Sequence, residues 1–269
     1  MPLPDLTSLP RFEAQLLLAH ILGRSRAWVL AHPEADLSAD QQARLEQALS
    51  RWQAGVPLPY ILGHWEFYGL DFALTPEVLI PRPETELLVE TALAWLKAHP
   101  EVDSAVEVGT GSGCIAVALA VHAPSLHLTA TDCSAEALRV AQHNARTHGV
   151  SRRISFRQAD LLEGAPAPIP LLLANLPYIP SETLRTLPVY GREPTLALDG
   201  GIHGLDLIAR LLEQARTRLG EGGLALLEIE ARQGQAVLEL ARRAFPRAVV
   251  RVLTDLAGLD RLLVIQNGD

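Results

Sequence analysis

Apolar residues in the first 60 positions recur near a 3.6-residue period. Leu16, Leu17, Leu18 and Ile21 form one such stripe and Leu45, Leu49 and Trp52 another, which predicts several short helices. Ser38 followed three residues on by Gln41 reads as a capping box for a helix reaching about Ala54, with Pro57 and Pro59 closing it. The texture changes between Trp65 and Ile80, where aromatic and polar residues alternate around Gly69 as in a short β-hairpin. Pro81 and Pro83 then lead into a predicted helix from Glu84 to Ala98. Its leading carboxylates, Glu84 and Glu86, suit the positive end of the helix dipole.

From there on, short apolar runs alternate with helical periodicity. Strands are predicted at Ser104 to Val108, His127 to Thr131, Ile154 to Gln158, Pro170 to Ala174, Leu224 to Ile229, Ala248 to Leu253 and Arg261 to Ile265. Helices fill most gaps: Ile115 to Val121, Ala135 to His148, Leu205 to Leu219 and Gln233 to Ala244. Strands separated by such helices imply right-handed crossovers and a mainly parallel sheet covered on both faces, an α/β fold. The expected organisation is a helical domain over 1–62, a hairpin linker over 63–82 and an α/β domain over 83–269. In an open sheet of this kind the ligand crevice lies beyond the carboxyl ends of the strands. Functional residues are therefore expected just after Val108, Thr131, Gln158 and Ala174.

Composition narrows the classes. The 269 residues are 48% hydrophobic and 20% charged, which excludes a disordered or fibrous chain. A formal net charge of -8 argues against a protein whose main task is tracking a nucleic-acid backbone. Two cysteines, Cys114 and Cys133, make no disulfide scaffold and are expected to be buried as small apolar residues; nine histidines fall in no metal-ligand pattern. The opening MPLPDLTSLPRFEAQ lacks the basic start and apolar block of a signal peptide, and the longest uncharged stretches are broken by glycines and prolines. A cytoplasmic protein without a metal or a membrane span is expected.

The strand ends carry the chemistry. After the first strand comes Glu107-Val108-Gly109-Thr110-Gly111-Ser112-Gly113, whose alternating glycines allow a sharp turn and close approach to a ligand, or simply a tight strand-to-helix turn. Its spacing is not the G-x-G-x-x-G of dinucleotide folds. After the second strand, Asp132 is placed to accept hydrogen bonds from ribose hydroxyls, or to cap a helix, a task Ser134 can also perform. Asp160 and Leu161 follow the third strand, a carboxylate and an apolar residue able to hold an adenine. The fourth ends in Asn175-Leu176-Pro177-Tyr178.

An amide nitrogen, or an exocyclic base amine, is a poor nucleophile because its lone pair is delocalised. The side-chain oxygen of Asn175 and the backbone carbonyl of Leu176 can each take one N–H and so aim that lone pair, while Pro177 stiffens the turn and Tyr178 lies on the planar group. Read alone, the same four residues are a turn with a half-buried tyrosine.

The first three strand ends together resemble the cofactor site of the S-adenosylmethionine-dependent methyltransferases with a seven-stranded Rossmann-like sheet. The resemblance implies that Glu107, Gly109, Thr110, Gly111, Ser112, Gly113, Asp132, Asp160, Leu161 and Asn175 hold the cofactor, which leaves as S-adenosylhomocysteine. Glu107 reads equally well as a partly buried acid satisfied by backbone donors. Over nearly the whole chain the sequence resembles the glutamine methyltransferases of the HemK/PrmC type, which modify the Gly-Gly-Gln motif of bacterial class I peptide-chain release factors. The segments that carry this likeness are Pro59 to Gly63, the hairpin around Phe67, Leu79-Ile80-Pro81-Arg82-Pro83-Glu84-Thr85-Glu86, the Glu107 loop, Asn175 to Tyr178, Glu193-Pro194, and Gly200 to Leu205.

That family has proline where this chain has Leu176; the carbonyl acceptor survives, and some stiffness is lost. The resemblance implies a helical N-terminal domain that helps bind the release factor, and a monomeric enzyme acting on a protein rather than on nucleic acid. Arg82 and Glu193 are candidates for shaping the substrate pocket, or an ordinary ion pair. Three rival readings stand beside this one: an adenine-amino methyltransferase on flipped bases, a nicotinamide-dependent dehydrogenase, and a methyltransferase-like adaptor without turnover.

Overall fold

The computed structural model describes Leu6 and residues 9–268. The chain separates into two compact units, Met1–His64 and Trp65–Asp269. In the first, α1 (Arg11–Leu22), α2 (Arg26–Ala31), α3 (Ala39–Gln53) and α4 (Leu58–Leu62) follow the apolar stripes of the sequence. Leu17, Leu18, Ile21 and Leu45 are buried, whereas Leu16, Leu49 and Trp52 are half-buried. Both halves of the capping box form: the Gln41 amide donates to Ser38 Oγ at 3.2 Å and the Ser38 amide to Gln41 Oε1 at 3.0 Å. Pro57 and Pro59 do more than end α3. They open α4, because a helix's first turn has amides with no intrahelical acceptor and tolerates proline there.

The division falls within the first strand of a hairpin, β1 (His64–Phe67) and β2 (Leu70–Ala73), which stops seven residues short of the predicted Ile80. Residues 65–73 of the hairpin fall in the second unit. Phe67 and Phe72 are buried in the same apolar cluster as Leu88, Val89 and Ala92 of α5 (Glu86–Ala98). Pro83–Thr85 form a tighter 3₁₀ turn, so α5 starts two residues later than its leading carboxylates suggest.

Then follow β3 (Ser104–Val108), α6 (Cys114–His122), β4 (His127–Asp132), α7 (Ala135–Thr147), β5 (Ile154–Gln158), β6 (Ile169–Ala174), the short α8 (Ser181–Leu184), α9 (Asp206–Ala215), β7 (Leu219–Glu228), α10 (Gly234–Ala244), β8 (Val249–Thr254) and β9 (Asp260–Gln266). The seven strands β3 to β9 form one sheet in the order β5-β4-β3-β6-β7-β9-β8. It is parallel except for β9, which runs antiparallel to both β7 and β8. β7 begins five residues before the apolar run at Leu224, because Gly220, Gly222 and Gly223 supply no side-chain pattern to read.

Both faces of the sheet are buried. Leu171, Leu173 and Leu226 join the cluster on one face, and Leu172, Ala174 and Leu227 the cluster on the other. The helix α6, apolar on every side, is buried from Cys114 to Ala120. β3 and β6 are neighbours at the middle of the sheet, and Val108 pairs with Ala174. The loops that leave these two strands are thus adjacent at the point where the strand order reverses, the place where such sheets bind ligands.

Asn144 of α7 locks the hairpin to this centre. Its Oδ1 accepts from the Ala73 amide at 2.9 Å, and its Nδ2 donates to the carbonyls of Ala73 at 3.1 Å and Ser112 at 2.9 Å. The side chain is fully buried, so truncation strands all three partners. Asn144→Ala is expected to cost about 3 kcal/mol, seen as a fall of roughly 6–12 °C in the melting temperature of the purified protein.

Candidate active site

A cavity of about 580 Å³ opens beyond the carboxyl ends of β3, β4, β5 and β6. Its size is that of a small-molecule pocket. Thr110, Gly111 and Ser112 form one wall, Asp132, Asp160 and Leu161 another, and Asn175, Leu176 and Pro177 a third; Arg82 and Thr85 also reach it. All of these except Thr85 are residues singled out in the sequence. Four expected site residues do not line the cavity: Glu107, Gly113, Tyr178 and Glu193.

The glycine loop is tied down from both sides. The Gly109 and Thr110 amides donate to the Thr131 carbonyl at 2.8 and 3.0 Å, and the Gly111 amide to Asp132 Oδ2 at 2.9 Å. Asp132 Oδ1 accepts from the Ser134 amide at 2.9 Å, while Ser134 itself caps α7 by accepting from the Ala137 amide at 3.1 Å. Asp132 is therefore not the helix cap. Burial outweighs its hydrogen bonds from Ser134, Gly111 and Cys133 and raises its pKa.

Asp160 forms an ion pair with Arg210 at the half-exposed edge of the cavity. Leu161 has a left-handed backbone, φ 53°, and Thr131 Oγ1 donates to its carbonyl at 2.8 Å. Its side chain also belongs to the core, so it divides its surface between cavity and packing.

The third wall is set by close packing. A Cβ on Gly109, whose φ is +73°, would lie 3.0 Å from Leu176 Cδ2 and 3.7 Å from the Asn175 carbonyl oxygen. Only glycine lets the loop after β3 lie against the turn after β6. Leu176 is buried in the core cluster beneath that contact.

Asn175 Nδ2 donates to Thr85 Oγ1 at 3.1 Å. Among the described residues, no hydrogen bond engages Asn175 Oδ1 or the Leu176 carbonyl. The turn is braced from behind as well. A Cβ on Gly200 would lie 2.8 Å from the Pro177 carbonyl oxygen, and Gln233 Nε2 donates to the Tyr178 carbonyl at 2.8 Å.

Tyr178 is the clearest departure from expectation. Its ring packs on the core cluster instead of facing the cavity, and its hydroxyl donates to Glu228 Oε1 at 3.3 Å. Burial, then the charge of Glu228, raises its pKa. Glu193 accepts from the Ile80 amide at 3.1 Å and pairs with Arg82. It thereby anchors the segment that carries Thr85. Cys114 is buried, but Cys133 is exposed beside Asp132, contrary to the burial expected of both.

Glu107 lies fully buried below the loop. Thr110 Oγ1 donates to its Oε2 at 2.7 Å, while Oε1 has no hydrogen-bond partner. The sequence missed Thr85, Glu228 and Asn144 as contributors. Thr85 stands between two glutamates in the turn before α5 and Glu228 ends an apolar strand, so only their burial reveals them. Among the described residues no group of three or more His, Cys, Asp or Glu can hold a metal, and no helix is long and apolar enough to cross a membrane.

Residues 6–63 match the PrmC N-terminal domain family and residues 84–186 the Methyltransferase small domain family. A release factor glutamine methyltransferase of Moorella thermoacetica is 46% identical over 256 residues, 94% of this chain and 89% of that protein. The chain belongs to the release factor glutamine methyltransferase family. A second member, from Bordetella pertussis, is 44% identical over 94% of both proteins. Among solved structures, a methyltransferase from Pyrococcus furiosus covers 86% of this chain and 100% of its own with a TM-score of 0.54 at 17% identity, a likeness of fold.

Burial pushes the Glu107 carboxyl up to about 8, with Asp132's charge adding and the Thr110 hydroxyl opposing. An acid whose pKa is higher folded than unfolded stabilises the fold fully below its unfolded value, near 4.5, and progressively less up to about pH 8. Glu107→Gln, which cannot ionise, is expected to gain in melting temperature over the wild type as pH rises from 5 to 8, with a constant gap above that. A gap that does not change with pH would mean that Glu107 is not held neutral.

Proposed function

We propose that this chain transfers a methyl group from S-adenosylmethionine to the side-chain amide nitrogen of the glutamine in the Gly-Gly-Gln motif of class I peptide-chain release factors, in the cytoplasm where translation ends. The observation that carries the reading is the pair of uncommitted oxygens at one turn, Asn175 Oδ1 and the Leu176 carbonyl, beside a glycine loop at the same cavity. Family membership supports the choice of substrate among the amides and amines such a turn can hold.

The residues fit the cofactor. The cavity is large enough, Gly109 and Gly111 keep side chains off its floor, and Asp132 offers a half-buried carboxylate for ribose hydroxyls. Glu107 Oε1, buried and without a partner, provides latent negative charge beneath the loop for a cationic ligand. Bound there, the cofactor supplies an electrophilic methyl group on a sulfonium.

The chain's own part is orientation. A primary amide carries two N–H groups, and the two oxygens accept one each. This holds the nitrogen with its lone pair toward the loop and stabilises the positive charge that grows on it. Pro177 restricts the backbone of the turn, and the buried Leu176 side chain keeps its carbonyl in place. No base is needed to begin the reaction, since the N-methylated amide loses its surplus proton readily. Arg82, at the cavity and half-exposed, shapes the mouth through which the peptide loop enters.

Incubating the protein with S-adenosylmethionine and a class I release factor, then digesting the factor for mass spectrometry, is expected to show one methyl group on the Gly-Gly-Gln glutamine. Methyl transfer to nucleic acid alone would contradict the substrate. Asn175→Ala is expected to lower kcat at least ~100-fold, as for loss of one preorganised polar group.

A further inference from the structure

The loop after β5 is gripped by an element to which the reaction scheme above gives no role. Helix α9 reaches that loop at two points about one helical turn apart. Arg210 Nη2 pairs with Asp160 Oδ2, and Gln214 Oε1 accepts from the Leu162 amide at 2.9 Å. Leu207, Arg210 and Gln214 follow one another at the spacing of a single helix face, and the first two line the cavity. The two contacts join residues 50 and 52 apart in the chain. They differ in this from the pairs Arg139–Glu136 and Arg216–Glu213, each of which lies within one helix turn or its end.

The Arg210–Asp160 pair is half-exposed and adds little to stability. Its consequence is geometric. With Oδ2 held by the guanidinium, the carboxylate has one oxygen left over. Among the described residues no hydrogen bond engages Asp160 Oδ1, nor the amide of Leu161, the next residue. Leu161 stands between two residues that α9 holds, and its carbonyl accepts from Thr131 Oγ1. These contacts keep it in the left-handed backbone, φ 53°, that a residue with a Cβ rarely adopts unaided. Asp160 and Leu161 both line the cavity, so adjacent residues offer it one restrained acceptor and one restrained donor.

A 6-aminopurine carries the complement on one edge, where its exocyclic N–H donates and its N1 accepts. A 6-oxopurine inverts both: O6 accepts and N1–H donates. We propose that Arg210 and Gln214 of α9 are positioning residues that make the cavity select a 6-aminopurine nucleoside over its 6-oxo counterpart, by holding Asp160 and Leu161 in register with that edge. Without Arg210 the carboxylate is free to rotate toward solvent. Without the Gln214 acceptor the Leu161 backbone loses one of its two ends. Either loss weakens binding of the amino form and leaves the oxo form, which never made the paired contacts, nearly where it was.

The selection rests on the cofactor reading above, and binding separates the two. Full-length wild type, Arg210→Met and Gln214→Leu are titrated by calorimetry with S-adenosylhomocysteine and with S-inosylhomocysteine, which differ only at the purine 6-position and its neighbouring N1. The wild type is expected to bind the adenosyl compound at least ~100-fold more tightly, a smaller factor than a fully enclosed polar site gives because the ion pair is half-exposed. In each variant the ratio falls below ~10-fold, through weaker binding of the adenosyl compound.

A wild type that binds both compounds within about threefold overturns the selection. So does a folded variant that keeps the wild-type ratio, including one that loses affinity for both compounds equally, as a merely structural residue would. Should one variant fail to melt cooperatively, the other decides by the same ratio. A wild type that binds neither compound overturns the cofactor reading and the selection with it, whereas tight binding of the adenosyl compound with an unchanged ratio in the variants overturns the roles of Arg210 and Gln214 alone.

Discussion

One close approach organises the site: the loop after β3 lies so tightly on the turn after β6 that Leu176 Cδ2 comes within 3.0 Å of where a Gly109 side chain would begin. Parallel pairing of β3 and β6 brings the two backbones side by side. The missing Cβ lets them meet. A loop suited to a methyl donor and a turn suited to an acceptor thereby share one cavity, and their spacing is set by packed core, not by flexible side chains. The leucine that replaces the family's proline belongs to this contact. What it loses in backbone stiffness is offset by a side chain buried among the strands.

Supports for the turn come from distant parts of the second unit. Glu193 holds the Ile80–Arg82 segment, which carries Thr85 to Asn175; Gly200 and Gln233 brace Pro177 and Tyr178 from the other side. Asn144 joins the hairpin to the Ser112 carbonyl on the glycine loop. The turn after β6 itself makes few hydrogen bonds with its polar atoms on the cavity side. Its rigidity is supplied by neighbours, which leaves its acceptors free for a substrate.

Much of the arrangement was legible in the sequence. Alternating apolar runs and helical stripes specify the α/β class, and the strand-end rule places the Glu107 loop, Asp132, Asp160 and Asn175 at one crevice. What periodicity does not encode was lost. The start of β7 is hidden by glycines, and the 3₁₀ turn at Pro83–Thr85 looks like helix. A tyrosine beside such a turn has two destinations, cavity or core, and its spacing does not say which; the partner of Tyr178, Glu228, lies 50 residues away. Thr85 and Glu228 were invisible for the same reason: the burial of a single threonine or glutamate follows from the tertiary fold and leaves no pattern in the sequence. Arg82 and Glu193 were left between two readings, and they form the ion pair.

The central claim is geometric and is tested most directly by a crystal structure of the protein with S-adenosylhomocysteine and a peptide containing Gly-Gly-Gln. The account predicts the glutamine amide nitrogen within hydrogen-bond distance of both Asn175 Oδ1 and the Leu176 carbonyl, facing the cofactor sulfur. A glutamine bound with its nitrogen away from those two oxygens, or a cofactor that does not rest on the glycine loop, would contradict it.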